Sequence, residues 1–153
     1  MNIDNFIRYL EKEKRYPYTT IENYQRDLIK YEDYIKKNNI NYKTTNKDQI
    51  REYLKYLDEE KLSRSTISRM LSALRHFYTY LLINEKVSSN PFKNIRNPKK
   101  EKKLPRYFEY NELEELFMVP DTNTSLGQRD LLLLEMLYAT GVRVGELVNI
   151  KVK

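Results

Sequence analysis

Arg143 and Glu146 are the residues whose types and spacing come closest to offering chemistry, in the run Ala139-Thr140-Gly141-Val142-Arg143-Val144-Gly145-Glu146-Leu147. A guanidinium presents a planar fork of donors that can grip two phosphate oxygens at once, and a carboxylate three residues on can orient it. Read from the residues alone, the commoner role for this spacing is a structural ion pair on an exposed helix. Composition narrows other chemistries. The chain has no cysteine, so neither a disulfide framework nor a thiolate metal site is available. Its single histidine, His76, excludes a multi-histidine metal site and reads as an exposed helix residue. Neither a metal nor a cofactor is expected.

The position of Arg143 depends on what precedes it. Gly141 can end a helix by taking a left-handed conformation, leaving Val142 onward to start another with Arg143 at the junction. The helix before it, Leu131 to Ala139, is apolar nearly all round, as a helix is when buried inside a domain. Asn111 to Met118 forms a short amphipathic helix through Leu113, Leu116 and Phe117, followed by a loop from Pro120 to Gly127. Residues 109–153 are too few to enclose an apolar helix, so they read as the first portion of an incomplete domain or as a surface covered by another chain. Left open, that helix favours self-association.

The first part of the chain reads as four helices. Ile3, Phe6, Ile7 and Leu10 recur at helical spacing until Tyr16-Pro17-Tyr18 interrupts. Thr19 with Glu22 fits a capping box for a second helix, whose apolar face is Ile21, Tyr24, Leu28, Tyr31 and Ile35 and which ends near Asn38-Asn39. Asn46 or Thr45 can cap a third, with Ile50, Tyr53, Leu54 and Leu57 inward. Ser63 or Ser65 opens a fourth, carrying Ile67, Met70, Leu71, Leu74, Phe77, Tyr78, Leu81 and Leu82. Its other side, with Ser65, Ser68, Arg69, Ser72, Arg75 and Thr79, is polar and basic. No strand-like alternation competes, so an all-α four-helix bundle over residues 1–86 is the natural packing.

From Val87 to Phe108 prolines, polar residues and the cluster Lys99-Lys100-Glu101-Lys102-Lys103 show no apolar period, which describes an interdomain linker. Those lysines are placed either near phosphates or on a solvated charge run. Lysine and arginine number 28 against 22 acidic residues, a net charge of +6 spread along the chain. That balance favours a polyanionic partner, because neutralising phosphates releases condensed counterions. No apolar run approaches the roughly 18 residues needed to cross a bilayer, and the amino terminus lacks the basic and apolar segments of a signal peptide. A cytoplasmic location without membrane contact is expected.

The run Ala139 to Leu147 resembles the first catalytic box of the tyrosine recombinases, the family of the lambda-type integrases and the bacterial Xer recombinases, which reads approximately Ala-Thr-Gly-Leu-Arg-Val-Ser-Glu-Leu. The departures are Val142 and Gly145, where serine is common. Thr20-Ile21 with Tyr24 and Asp27-Leu28 is similar to the opening of the family's core-binding domain, and Leu71 to Leu81 to its fourth helix. Asn90-Pro91 and Leu104-Pro105 match its linker landmarks.

The resemblance implies a SAM-like core-binding bundle (1–86), a linker (87–108) and the first helices of a truncated, mainly α catalytic domain (109–153). It implies that the bundle forms one half of a clamp on double-stranded DNA carrying an inverted-repeat site, shared with other recombinase protomers. In the family a tyrosine attacks the scissile phosphodiester to form a 3′-phosphotyrosine, without metal. Arg143 would stabilise charge on the phosphorus, with Glu146 supporting it. The family's lysine hairpin, His-x-x-Arg box and nucleophilic tyrosine match nothing here, so this chain alone is expected to bind DNA without cleaving it. Contacts are expected from Arg64, Ser68, Arg69, Ser72 and Arg75 of the fourth helix with Thr19, Asn23 and Arg26 of the second, although any solvated helix face has this look.

Site-specific recombination of Xer-like type, as in chromosome or plasmid dimer resolution, is the leading expectation. A phage or transposon integrase fragment and a non-catalytic DNA-binding modulator are the alternatives. A helical protein–protein adaptor would leave the surroundings of Arg143 unexplained.

Overall fold

The computed structural model describes residues 1–99, 104 and 106–151, and the chain divides into two units, Met1–Lys102 and Lys103–Lys153. Lys100, Lys102, Lys103 and Pro105, to which part of the linker reading attaches, lie outside the described residues. All regular elements among the described residues are helical. The first unit holds α1 (Ile3–Lys12), α2 (Tyr18–Lys37), a 3-10 turn (Tyr42–Thr44), α3 (Lys47–Glu59) and α4 (Arg64–Ile83). The second holds α5 (Tyr110–Met118), α6 (Ser125–Thr140) and α7 (Val144–Leu147).

Local chemistry sets the helix starts. Asn46 caps α3, accepting from the amides of Asp48 (3.0 Å) and Gln49 (2.9 Å), while Gln49 Oε1 accepts from the Asn46 amide at 3.0 Å. Ser63 caps α4 by accepting from the Thr66 amide at 3.1 Å. The expected Thr19–Glu22 capping box does not form. Pro17 occupies the cap position with φ −55° and ψ 142°, and its carbonyl accepts from Thr20 (2.9 Å) and Ile21 (3.1 Å). The proline ring already fixes the entry angle, so α2 begins at Tyr18 and Thr19 lies inside it.

The core of the first unit is rich in phenols. Tyr31, Tyr53 and Tyr78 are all but fully buried beside Phe6, Phe77 and Phe92. A buried hydroxyl needs a partner. The Tyr31 and Tyr78 hydroxyls lie 3.2 Å apart, and both approach Thr45 Oγ1, at 3.4 and 3.3 Å. Tyr78 also donates to the Tyr42 carbonyl at 2.9 Å, which pins the 3-10 turn to the centre of the bundle. The Tyr53 hydroxyl is buried without a partner among the described residues.

The first part of the segment expected as a linker packs against the bundle. Val87 and Phe92 are buried, and Phe92 packs edge-on against Tyr31 (centroids 5.7 Å apart) and tilted against Tyr78 (5.2 Å). Asn90 donates to the Arg75 carbonyl and the Thr79 hydroxyl, both at 3.0 Å, and accepts from the Phe92 amide. The segment is a strap across α4, held by one aromatic and one amide, and therefore has no periodicity to read.

In the second unit α5 and α6 pack through Phe117 and Tyr138, whose centroids lie 5.7 Å apart. Thr124 caps α6 by accepting from the Gly127 amide at 3.0 Å. A side chain at Gly127 would collide with the Asp121 backbone, so this turn requires glycine. The apolar helix is only partly covered within this unit: Leu132 and Tyr138 are exposed, and Gly127 is the buried residue of α6.

Phe92 tests the strap. Phe92→Ala is expected to cost about 3 kcal/mol in urea unfolding, whereas Ile83→Ala, at an exposed end of α4, should stay within about 0.5 kcal/mol. Equal effects would show that residues 87–95 do not belong to the folded unit.

Candidate nucleic-acid interface

α4 carries Arg64, Ser68, Arg69, Ser72 and Arg75, and the structure sorts these five into different environments. Arg64 is exposed in the first turn. Ser68 is buried at 6% exposure, and its hydroxyl has no partner among the described residues. Ser72 donates to the Ser68 carbonyl at 3.0 Å. Arg69 Nη1 donates to Asp27 Oδ2 of α2 at 2.6 Å and to the Asn23 carbonyl at 3.3 Å. Arg75 Nη2 donates to the Ile95 carbonyl (3.4 Å) and to Asn97 Oδ1, and its Nε is buried without a partner among the described residues. On α2, Thr19 and Arg26 are exposed, and Asn23 donates to the Thr19 carbonyl at 2.7 Å.

The residues expected to contact DNA do not share one open face in the structure. Ser68 is buried, and Arg69 and Arg75 are each tied to the protein. The reason is packing on two sides: α2 lies against one flank of α4, and the strap ending at Ile95–Asn97 against another. What the fold does bring together is Ser65, Thr66, Ser68, Arg69 and Ser72, which with Asn97 and Pro98 line an open groove of about 530 Å³. Arg69 is its cation.

Asp27 was missing from the expected site, although it is what holds Arg69. Its signal was present in the sequence: an acidic residue inside the apolar stripe Tyr24, Leu28, Tyr31 must be buried and therefore paired. Burial pushes its carboxyl up to about 6, with the Arg69 guanidinium opposing. His76 is an exposed residue of α4, as expected, and its Nδ1 shares a hydrogen bond with the Tyr24 hydroxyl at 3.1 Å. Partial burial, then the Arg75 charge, lowers its pKa.

The second unit presents the other candidate. Gly141 adopts the left-handed conformation expected of it (φ 63°, ψ 15°), and its amide closes α6 on the Leu137 carbonyl at 2.9 Å. Arg143 then caps α7. The Glu146 carboxylate accepts from the Arg143 amide at 3.0 Å and from Arg143 Nη1 at 3.1 Å. One edge of the guanidinium is held this way, while 85% of the side chain remains exposed. A Cβ at Gly145 would meet open space, so the serine common at that position fits without rearrangement.

Among the described residues no helix is long and apolar enough to cross a membrane.

The Asp27 environment carries a sign for stability. Its folded pKa lies above the unfolded value, so the folded state holds more protons between about pH 4 and about pH 6, and stability falls as pH rises through that window. Comparing the wild type with Asp27→Asn in urea, the wild type is expected to lose on the order of 1–2 kcal/mol relative to the variant between about pH 3.5 and pH 7. A constant difference would mean that Asp27 is not held in a charge-disfavouring site.

Residues 3–85 match the family of the phage integrase N-terminal SAM-like domain. The chain is 41% identical over 146 residues to the tyrosine recombinase XerC of Staphylococcus aureus strain JH9, an alignment covering 95% of this chain and 49% of that protein. Against XerC of Staphylococcus aureus strain USA300 / TCH1516 the identity is 40% over 148 residues, covering 97% of this chain and 50% of that protein. The chain therefore spans about half the length of the curated relatives it matches. With its bundle matched from Ile3 to Glu85, the chain belongs to the phage integrase family by its N-terminal SAM-like domain, and is similar to the Xer-type tyrosine recombinases.

Proposed function

We propose that this chain serves site-specific DNA recombination of the Xer type, as the DNA-clamping half of such a recombinase together with the start of its catalytic half. The observation that carries the reading is the presence in one chain of the family's bundle and, in the second unit, of Arg143 anchored by Glu146 at a glycine-ended helix. Residues 1–86 are the core-binding part, with the strap of residues 87–97 attached to it. Residues 109–153 open the catalytic part. Arg143, exposed on one edge and held on the other, is suited to gripping the scissile phosphate, and Glu146 positions it.

Double-stranded DNA is the partner, with an inverted-repeat site and further protomers assembled on it. The cations open to phosphates are Arg26 on α2 and Arg64 on α4, neither engaged in an ion pair among the described residues, and Arg69 in its groove. Thr19, Asn23 and Ser72 lie beside them. Arg75 acts indirectly, by holding the strap that forms one wall of the groove.

A salt-titrated binding isotherm on duplex DNA tests this. The affinity is expected to fall steeply with salt, and Arg26→Ala and Arg64→Ala should each lower the logarithmic slope by about one while leaving preference among duplexes unchanged. Absence of binding at low salt would reject the clamp.

A further inference from the structure

Asp27 is the buried ionisable group that holds the groove's cation. It has 4% of its surface exposed, and its hydrogen-bond donor among the described residues is Arg69 Nη1. An ionised carboxylate offers about four acceptor positions. One charge-assisted bond leaves the others facing a surrounding that disfavours the charge. The charged and titratable groups around it are Arg69 from α4, Tyr53 from α3, and Tyr24 and Arg26 from α2 itself. Burial outweighs the two arginines and pushes the carboxyl up to about 6.

Arg69 also lines the groove, with Ser65, Ser68, Ser72 and Asn97. Two observations there point to an oxyanion. Among the described residues the buried Ser68 hydroxyl has no partner and the Arg69 hydrogen bonds use Nη1 alone, with 34% of the Arg69 side chain still exposed. A phosphate oxygen seated in the groove would supply an acceptor to both. It would also bring a negative charge close to Asp27, where like charges repel with little solvent to screen them.

We infer that a DNA phosphate seats in the Ser68–Arg69 groove and that its binding is linked to uptake of a proton by the Asp27 carboxylate. The inference rests on the DNA-binding reading above and adds a regulation to it. No covalent bond changes; up to one proton passes from solvent to the carboxylate for each phosphate seated. Protonated Asp27 still accepts from Arg69 through its carbonyl oxygen, so the guanidinium keeps its place while its charge is left to the phosphate. Asp27 is thus a positioning residue whose proton sets how much of the Arg69 charge the DNA meets.

The test is a set of binding isotherms on one duplex at fixed ionic strength for the wild type and Asp27→Asn. Wild-type affinity should be about fivefold higher near pH 5.5 than near pH 8, and the variant should keep only the share that His76 gives to both proteins. Calorimetry of the wild type in two buffers of different ionisation enthalpy near pH 6.5 reads the proton directly and needs no variant. Ser68→Ala should weaken wild-type binding severalfold at every pH. Salt-dependent binding with parallel pH profiles, or without proton uptake, would overturn the linkage and leave the clamp standing. Absence of salt-dependent binding at every pH would remove the clamp itself and this inference with it.

Discussion

Nine of the twenty residues of α4, from Ile67 to Leu81, are buried, and a helix with so broad an apolar surface cannot be covered from one side. The other features of the first unit follow from how this helix is covered. α2 takes one flank, and the Tyr31–Tyr78–Thr45 hydroxyl cluster draws the 3-10 turn in behind it. The strap of residues 87–97 takes another flank, with Phe92 in the core and Asn90 on the helix backbone. The groove is one part of the surface that α4 leaves open, and its polar groups are shaped by neighbours on both sides.

This explains why α4 needs a buried carboxylate beside it. Arg69 lies at the boundary between packed and open surface, where a long cationic side chain would otherwise sample many rotamers. Asp27 removes that freedom at the cost of a charge held away from water. Glu146 does similar work for Arg143 in the second unit, but at an exposed site where the penalty for the charge is small. The two arginines are therefore held by the same chemistry at different depths.

Helical periodicity carried much of the fold. The apolar faces of α1 to α4, the Asn46 and Ser63 caps and the left-handed Gly141 all follow from residue types at short separations in the sequence. What escaped that reading depends on long separations. Asp27 meets Arg69 across 42 residues, and Asn90 reaches back 15 residues to the Arg75 carbonyl. The polar face of α4 was legible as a pattern, yet which of its members face solvent was decided by the strap, whose Val87, Phe92 and Ile95 have no regular spacing. Thr19 and Glu22 satisfied a capping pattern that Pro17 had already made unnecessary.

The phenolic core has an acid–base consequence. Burial raises the pKa of Tyr31, Tyr53 and Tyr78, and partial burial that of Tyr24 and Tyr34. In the unfolded chain these phenols ionise near their ordinary value, whereas in the bundle they resist ionisation. Above about pH 10 the unfolded chain therefore releases protons that the bundle retains, and each further step in pH favours unfolding. A core that would gain stability from tyrosine near neutrality thus carries an alkaline limit that a core of phenylalanine would not, with the absorbance of tyrosinate as its visible signal.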